Sequence, residues 1–269
     1  MRVIADLHIH SKYSRATSEK MDIDNITKFA KIKGLNLVGT GDFTHPKWLE
    51  ELKEKLVEVQ GTNLYTCRKE TMSQVNFMLT GEVSTIFTFE NDVKKIHHVV
   101  LTPNFETVSQ INERLVSYGN LSADGRPTLD MSAPQLVEEV MEVSKENVIL
   151  PSHAWTPWFS IFGAFSGFDC MEDCYQDMTR HIFALETGLS SDPLMNWRIS
   201  ALDKYALISN SDSHSSWPWR IGREANVFEL ERCTYSNVVD AIRSKDANRF
   251  KYTIETDPAY GKYHWTGHR

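Results

Sequence analysis

Apolar residues recur along this chain in two alternating spacings, one typical of strands and one typical of helices. Apolar positions three and four residues apart, with Gly34 as a stop signal, predict a helix from about Ile23 to Ile32. Further helices are predicted over PKWLEELKEKLVEV, ETVSQINERLVSYG, APQLVEEVMEVSK (capped by Ser132), SDPLMNWRISALDK and SNVVDAIRSK. Short β-branched apolar runs predict strands over MRVIADLHIH, LNLVGTG, NFMLTGEVSTIFTF, KKIHHVVLTP, ENVILPSH, IFALETG, YALISNSDSH and RFKYTIET.

This alternation gives about seven or eight strand–helix repeats with no internal linker. It predicts an α/β fold with a parallel, barrel-like sheet wrapped by helices. One segment, TPWFSIFGAFSGFDCMEDCYQDM, has no clean period and is rich in aromatic residues and glycine. Long irregular segments in compact domains are often functional, so we expect a lid or a binding loop there.

Polar side chains fall where the predicted strands end. They are Asp6, His8, His10, Asp42, His45, Glu82, His97, His98, His153, Glu186, Asp212 and His214. In a parallel barrel the carboxyl ends of the strands meet on the catalytic face. Carboxylate oxygens and imidazole nitrogens are ligands that suit Zn, Mn or Fe. The sequence therefore predicts a multinuclear metal centre on that face.

The spacing of the histidines indicates which of them share a face. His8 and His10 are two apart on a strand, so both can bind one ion, and Asp212 and His214 repeat this spacing. His97 and His98 are adjacent and point to opposite faces, so only one can be a ligand. The apolar run that follows His98 favours His98, which leaves His97 at the surface or beside a ligand.

Composition and charge narrow the function classes. The 269 residues include 29 Lys and Arg against 36 Asp and Glu, a formal charge of −7. That balance argues against a strongly basic, DNA-coating protein. No apolar run is long enough for a membrane span, and the N-terminus is unlike a signal peptide. The four cysteines are typical of reduced thiols, and we expect a cytoplasmic protein.

A set of motifs resembles the polymerase-and-histidinol-phosphatase (PHP) superfamily of metal-dependent phosphoesterases. These motifs are DLHIHS, GTGD, TGEVS, HHVVL, PSHAW and NSDSH, in the superfamily's order and over nearly the whole chain. The resemblance implies a distorted (β/α)7 TIM-like barrel with two or three divalent metal ions, Zn first, with Mn, Mg or Fe as alternatives. It also implies a phosphoesterase domain over residues 1–256 and a tail over 257–269 that continues in longer homologues.

The runs GTGDFTHPKW, ALETGLSSDPLMNWR, NSDSHSSWPWRIGREANVF and GKYHWTGHR look like the endonuclease Q family within this superfamily. That resemblance implies a DNA repair enzyme that nicks DNA 5′ of deaminated bases (hypoxanthine, uracil) or abasic sites. DNA with a damaged base is then the expected partner, while no protein partner is predicted. The alternatives are a PHP-type phosphatase acting on a small phosphomonoester or nucleotide, and a non-catalytic binding module.

The superfamily pattern also implies a ligand set. His8, His10, Glu82 and Asp212 would hold one ion, and Glu82 would bridge to a second ion held by His98 and His153. Asp42 and His214 would serve a third, which is weak or absent because Ala16 stands where many members have a histidine. Asp212, Glu82 and His153 are the expected catalytic residues. Two or three ions would bring the charge of −7 to between −3 and −1.

Substrate contacts are expected from cations and aromatic residues beside these motifs. The candidates are Lys12, Arg15, Trp217, Trp219, Arg220, Arg223, Glu186 and Asp192. The cations would hold phosphate and the tryptophans would stack on bases, unless the former are solvated surface charges and the latter close the barrel. Glu186 and Asp192 would contact substrate or support a ligand. An extruded base could lie among Trp155, Trp158, Phe159, Phe162, Phe165 and Phe168, unless these residues are core.

Overall fold

Helices and strands alternate along the chain to form a mixed α/β fold. A computed structural model describes residues 1–69 and 75–264. The strands are β1 (Arg2–Asp6), β2 (Leu37–Gly39), β3 (Leu56–Val59), β4 (Leu64–Cys67), β5 (Asn76–Phe89), β6 (Asp92–Thr102), β7 (Thr128–Leu129), β8 (Val148–Pro151), β9 (Ala184–Glu186), β10 (Ala206–Ile208), β11 (Ala225–Glu229) and β12 (Phe250–Ile254). The helices are α1 (Ile23–Lys33), α2 (Pro46–Lys55), α3 (Phe105–Leu115), α4 (Ala133–Val143), α5 (Met171–Tyr175), α6 (Pro193–Asn196) and α7 (Tyr235–Ser244).

Side-chain caps set the helix boundaries. Asp22 accepts a hydrogen bond from the Asn25 amide at the start of α1, and Gly34 ends that helix in the left-handed region (φ 89°), as predicted. Ser132 caps α4, also as predicted. The last five residues of the sequence, in the predicted tail, lie outside the described residues.

The sheet is mixed rather than parallel. Strands β1, β2 and β5 run parallel, but β5 pairs antiparallel with β6 from Leu79 to Phe89, and β11 pairs antiparallel with β1. Strands β9 and β10 form a separate parallel pair. The α/β class is confirmed, while the described strands do not close into a ring. The reason is that β5 and β6 form a long hairpin where a parallel barrel would place a helix.

Two predicted helices differ from the structure. Helix α2 ends at Lys55, because the following residues LVEV pair with β4 as strand β3. Only Pro193–Asn196 of the helix predicted over SDPLMNWRISALDK is α-helical, followed by a 3-10 turn at Ser200–Leu202. Strand β11 had no prediction, since its run ANVFE lacks a clear alternation. The irregular aromatic segment is confirmed as mostly turns before α5.

Apolar side chains pack on both faces of the sheet and hold the strand ends in place. Trp48 of α2 is fully buried, and its Nε1–H donates to the Gly41 carbonyl at 2.8 Å, fixing the turn after β2. Phe43 in that turn packs against Gly81 of β5, whose missing side chain leaves the space. In the described part of the chain, no helix has both the length and the apolar character needed to cross a bilayer.

Candidate metal centre

Buried histidines and carboxylates come together where the segments after β1, β8 and β10 meet the middle of β5 and β6. His8 and His10 follow β1, and the extended chain there makes a parallel bridge from Ile9 to Ser213, just beyond β10. The amide of His10 donates to the Ser213 carbonyl at 3.0 Å. The two histidines, two apart in an extended segment, point into the same cluster, as their spacing predicted.

Two sets of ligand atoms share Glu82. The first contains His8, His10, Glu82 and Asp212, and the second contains Glu82, His97 and His153, with the ligand atoms of each set within 4.8 Å of one another. Each set lies against a different oxygen of Glu82. Oε2 is 3.5 Å from His8 Nε2 and 3.3 Å from His10 Nε2. Oε1 is 3.1 Å from His97 Nδ1 and 3.3 Å from His153 Nε2. One carboxylate is thus placed to bridge two ions.

Buried carboxylates behind the cluster fix the tautomers of its first two histidines. Glu186 accepts from His8 Nδ1–H at 3.0 Å, and Asp42 accepts from His10 Nδ1–H at 2.9 Å. In the neutral rings, both Nε2 atoms therefore carry lone pairs, and these point at carboxylate oxygens. His8 Nε2 and Glu82 Oε1 are buried without a hydrogen-bond partner. Lone pairs that converge in this way fit a divalent cation, and carboxylate–histidine pairs are the usual support of such ligands.

In the metal-free cluster, the carboxylates favour a protonated His8, whose extra proton a bound ion would displace, and the nearby cations favour an ionised Glu82. Burial lowers the pKa of His8, but the carboxylates of Glu186 and Glu82 outweigh it and raise the pKa well above its ordinary value. Burial raises the pKa of Glu82, but His97, His8 and Arg126 outweigh it and hold the pKa well below its usual range. The carboxylates therefore stay ionised, as ligands of a cation must.

Backbone strain concentrates at the same place. Asp42, His153 and Asp212 have φ angles of 51°, 29° and 47°, in a region that residues other than glycine rarely adopt. Such strain persists where the surrounding structure overdetermines it, and it gathers at functional sites.

The choice of His98 as a ligand was wrong. Its register opposite Val83 points it away from the cluster, where its Nδ1 lies 2.9 Å from the Tyr175 hydroxyl and its Nε2 lies 3.0 Å from Thr85 Oγ1. His97, opposite Ser84, is the residue that joins Glu82 and His153. Both strand faces are buried here, so the apolar run after His98 carried no information about which face holds the metal site.

Asp42 was predicted to bind a third ion with His214, but the structure gives it another role. Its Oδ2 accepts hydrogen bonds from the Ser11 amide at 2.6 Å and from Ser14 Oγ at 2.8 Å, while Oδ1 accepts from His10. His214 stacks on the His10 ring at 4.4 Å and donates from Nδ1 to the Asp212 carbonyl. Among the described residues these two side chains do not belong to a third ligand set.

Glu186 and Asp192 were predicted to contact substrate or to support a ligand, and Glu186 lies in a supporting position, hydrogen-bonded to His8 Nδ1. Glu186 is fully buried and also accepts from the His153 amide and from Asn210 Nδ2, both at 2.8 Å. Asp192 caps α6 by accepting from the Met195 amide at 2.7 Å. It lines a separate cavity of about 670 Å³ beside β12.

Two of the four cations predicted to hold phosphate already have partners in the protein, and the other two are exposed at the surface. Lys12 is paired with Glu51 at 2.7 Å, and the Arg223 guanidinium donates twice to the Ser211 carbonyl, at 3.1 and 2.9 Å. Arg15 and Arg220 are exposed. Arg223 therefore supports the backbone beside Asp212.

Exposed aromatic residues lie in two places. Trp217 and Trp219 stack on one another at 5.0 Å, are 40% and 64% exposed, and Trp217 packs against Phe29 of α1. A cavity of about 530 Å³ opens directly beside His97, His153 and Asp212. Trp158, Phe159 and Tyr263 contribute to its walls. The aromatic segment therefore divides: Trp158 and Phe159 face this cavity, whereas Phe168 is core.

Sequence reasoning missed Arg126, which lay in a segment predicted only as a loop. Its Nη1–H donates to Glu82 Oε2 at 3.1 Å, so a guanidinium stands against the shared carboxylate. No motif includes it. The available signal was the DGRP run itself, which places a cation at a rigid turn.

A pair of buried carboxyl groups lies behind the strand ends. The Ser209 hydroxyl is 2.9 Å from Glu224 Oε2 and 3.1 Å from Glu255 Oε2. Burial, with the nearby charge of Glu255, raises the pKa of Glu224 to about 8. Burial raises the pKa of Glu255 to about 7. Near neutral pH these carboxyl groups hold protons that the unfolded chain would release.

Solved structures with a similar fold include two of endonuclease Q. The lesion-specific endonuclease PfuEndoQ from Pyrococcus furiosus is 35% identical, with a TM-score of 0.84 over 97% of this chain. Endonuclease Q in complex with a 27-mer duplex that has an abasic lesion at the active site is also 35% identical, with a TM-score of 0.85 over 98% of this chain. This chain spans 61% and 62% of the lengths of those two chains.

A third solved structure is more distant. It is a metal-dependent phosphoesterase from Bifidobacterium adolescentis, 13% identical, with a TM-score of 0.55 over 90% of this chain and 96% of that one. At that identity the likeness shows the fold alone. No family model matches the chain. The two endonuclease Q structures confirm the predicted resemblance to endonuclease Q, and the third shows that the fold is shared with a phosphoesterase.

Proposed function

We propose that this protein is a metal-dependent endonuclease that nicks DNA 5′ of a deaminated base (hypoxanthine or uracil) or an abasic site, in DNA repair. The observation that carries the proposal is the position of Glu82, whose two carboxylate oxygens face two sets of ligand atoms. The sequence around it is that of a chain 35% identical to endonuclease Q. This chain spans about three fifths of the length of that enzyme, so its activity and its substrate are both part of the proposal.

The ligand sets fit two divalent ions, and we propose zinc first, with manganese, magnesium or iron as alternatives. His8, His10, Glu82 and Asp212 would hold one ion. When bound, two such ions lower the pKa of a water molecule and hold a phosphate for in-line displacement. No serine or cysteine nucleophile is then needed. The roles of His97 and His153 as the remaining ligands are part of the same proposal.

The chain's own residues then have distinct tasks. Glu186 and Asp42 hold the His8 and His10 rings with Nε2 towards the cluster. Asp212 presents Oδ1 to His10 Nε2 at 3.0 Å, and its side chain is 31% exposed. Asp212 would therefore be a ligand of the first ion on the open side of the cluster. The cavity bordered by Trp158 and Phe159 has the aromatic walls that would hold an extruded base.

The domain bounds, the type of barrel and the cellular location are further parts of this proposal. We propose that residues 1–256 are the catalytic domain and that the fold is a distorted relative of the (β/α)7 barrel. The bridge from Ile9 to Ser213 supports this, because it joins the ends of β1 and β10 where a barrel would close. Free thiols at all four cysteines support a cytoplasmic location.

Single-turnover nicking tests the proposal. End-labelled duplexes carrying an abasic site, deoxyuridine or deoxyinosine are incubated with excess chelator-stripped protein, with Zn²⁺, Mn²⁺ or Mg²⁺ added back. We expect a metal-dependent cut 5′ of the lesion, absent from undamaged DNA and lost in Asp212→Asn. Turnover of small phosphomonoesters by the same preparation, without any nicking, would instead support the phosphatase alternative.

A further inference from the structure

Arg126 is a cation built into the candidate metal centre. Its Nη1–H lies 3.1 Å from Glu82 Oε2, the oxygen that faces the ligand set of His8, His10 and Asp212. The side chain is 24% exposed, so the guanidinium is mostly enclosed but reaches the open side of the cluster.

The loop that carries Arg126 is fixed on several sides. Asp124 Oδ1 accepts from the Arg126 amide at 3.0 Å, and the Gly125 amide donates to the Tyr13 carbonyl at 3.1 Å. The Pro127 carbonyl accepts from the Ser84 amide of β5 at 2.9 Å. Proline also restricts the residue before it to extended backbone. These contacts hold the Arg126 backbone in one place relative to Glu82.

Gly125 shows how closely this loop approaches the cluster. A Cβ atom there would lie 2.3 Å from both Asp42 Oδ2 and Ser14 Oγ. Those atoms already hydrogen-bond one another and support His10, so they have little freedom to move. The loop is therefore packed directly against the support of the metal centre.

Most donors of Arg126 have no assigned acceptor. A guanidinium has five N–H donors, and within the described residues the structure gives this one a single hydrogen bond, to Glu82. Lys12 and Arg223, by contrast, point their donors at Glu51 and at the Ser211 carbonyl. The N–H donors of a guanidinium are spaced to bind two oxygens of one phosphate. A guanidinium that is held in place with unused donors is therefore suited to bind phosphate.

We propose that Arg126 binds a non-bridging oxygen of the substrate phosphate beside the ligand set of His8, His10, Glu82 and Asp212. The inference rests on the proposed function, since it names a phosphate-binding residue of that same site. The guanidinium donors that Glu82 does not engage would bind the phosphate oxygen. The competing interpretation is that Arg126 serves only as the counter-ion of Glu82.

Binding of inorganic phosphate separates the two interpretations without requiring DNA cleavage. The metal-loaded full chain is titrated with phosphate by calorimetry, and its metal content is measured in the same samples. Arg126→Gln should weaken phosphate binding about 10- to 100-fold while metal content stays unchanged. Arg126→Lys should lose less, because it keeps the charge without the fork.

Arg180→Gln is the matched control. Arg180 is 62% exposed and faces only Asp177, at 3.8 Å, among acidic side chains of the described residues. This variant should bind phosphate as the unaltered protein does. Unchanged phosphate affinity in Arg126→Gln, or loss of metal from that variant, would overturn the proposal. Phosphate binding that depends on Arg126 in a protein that nicks no DNA would refute the endonuclease assignment alone.

Discussion

Glu186 provides a sharp test of the metal centre, because it belongs to neither ligand set and yet should control metal affinity through its hydrogen bond to His8. Three donors converge on its carboxylate: His8 Nδ1–H, the His153 amide and Asn210 Nδ2, at 3.0, 2.8 and 2.8 Å. Glu186→Gln keeps the size of the side chain and removes one acceptor oxygen. The amide NH₂ must then face a buried donor.

The structure sets the size of the effect. The glutamine oxygen can accept from the His153 amide or from Asn210, so at least one buried donor loses its partner, at about 1–3 kcal/mol of stability. His8 also loses the charged acceptor that holds Nε2 towards the cluster. Altering such a supporting carboxylate typically lowers metal affinity 10- to 100-fold, or about 1.4–2.7 kcal/mol.

Calorimetric titration of chelator-stripped protein with Mn²⁺ or Zn²⁺ measures this change, and urea unfolding of the metal-free variant measures the stability change. Glu139→Gln is the control, since Glu139 pairs with Arg114 at 2.7 Å on α4, away from the cluster. Unaltered metal affinity in Glu186→Gln, with the protein folded, would refute the carboxylate-support reasoning.

Three further predictions follow from the geometry. Removing His97 (His97→Ala) should lower the bound metal by one ion per chain in elemental analysis. His98→Ala should keep the metal and lose about 2–4 kcal/mol of unfolding free energy, because two buried hydroxyl groups lose their partner and a cavity forms; equal metal loss in both would contradict the revised assignment. Gly125→Ala should lower the free energy of unfolding by about 1–3 kcal/mol and weaken metal binding, because the added Cβ would lie 2.3 Å from the Asp42 carboxylate. A variant with unchanged unfolding free energy and unchanged metal affinity would contradict this packing. The pKa of Glu224 is about 8 when folded against an ordinary value of 4.5, so its contribution to stability is complete below 4.5 and lost as the pH rises to 8. Glu224→Gln should remove up to about 4 kcal/mol of that pH-dependent loss, measured as the difference in urea stability between about pH 5 and about pH 8.5; an unchanged pH slope would show that Glu224 is ionised in the fold.

Much of the site was predictable because strand periodicity and ligand chemistry act locally. The same-face spacing of His8 and His10 follows from the chain geometry alone, and the shared Glu82 was implied by the resemblance to the superfamily. The choice between His97 and His98 as the metal ligand could not be made from strand periodicity. Both faces of β6 are buried, and only the pairing with β5 and β8 determines which of them meets the cluster.

The fold was predictable in class and not in topology. Apolar periods identify strands, but they do not distinguish a parallel repeat from the antiparallel hairpin of β5 and β6. Roles that depend on distant segments were also out of reach. Arg126 reaches Glu82 across 44 positions of sequence, and Glu186 reaches His8 across 178. Nothing in the local sequence of either residue indicates its partner.

The central claim is that Glu82 joins two metal-binding sets in one centre. Anomalous diffraction from crystals of the protein loaded with Mn²⁺ tests it most directly. We predict two peaks on opposite sides of the Glu82 carboxylate, one beside His8, His10 and Asp212 and the other beside His97 and His153. A single peak that leaves Glu82 unbound, or peaks held by His98, would contradict it.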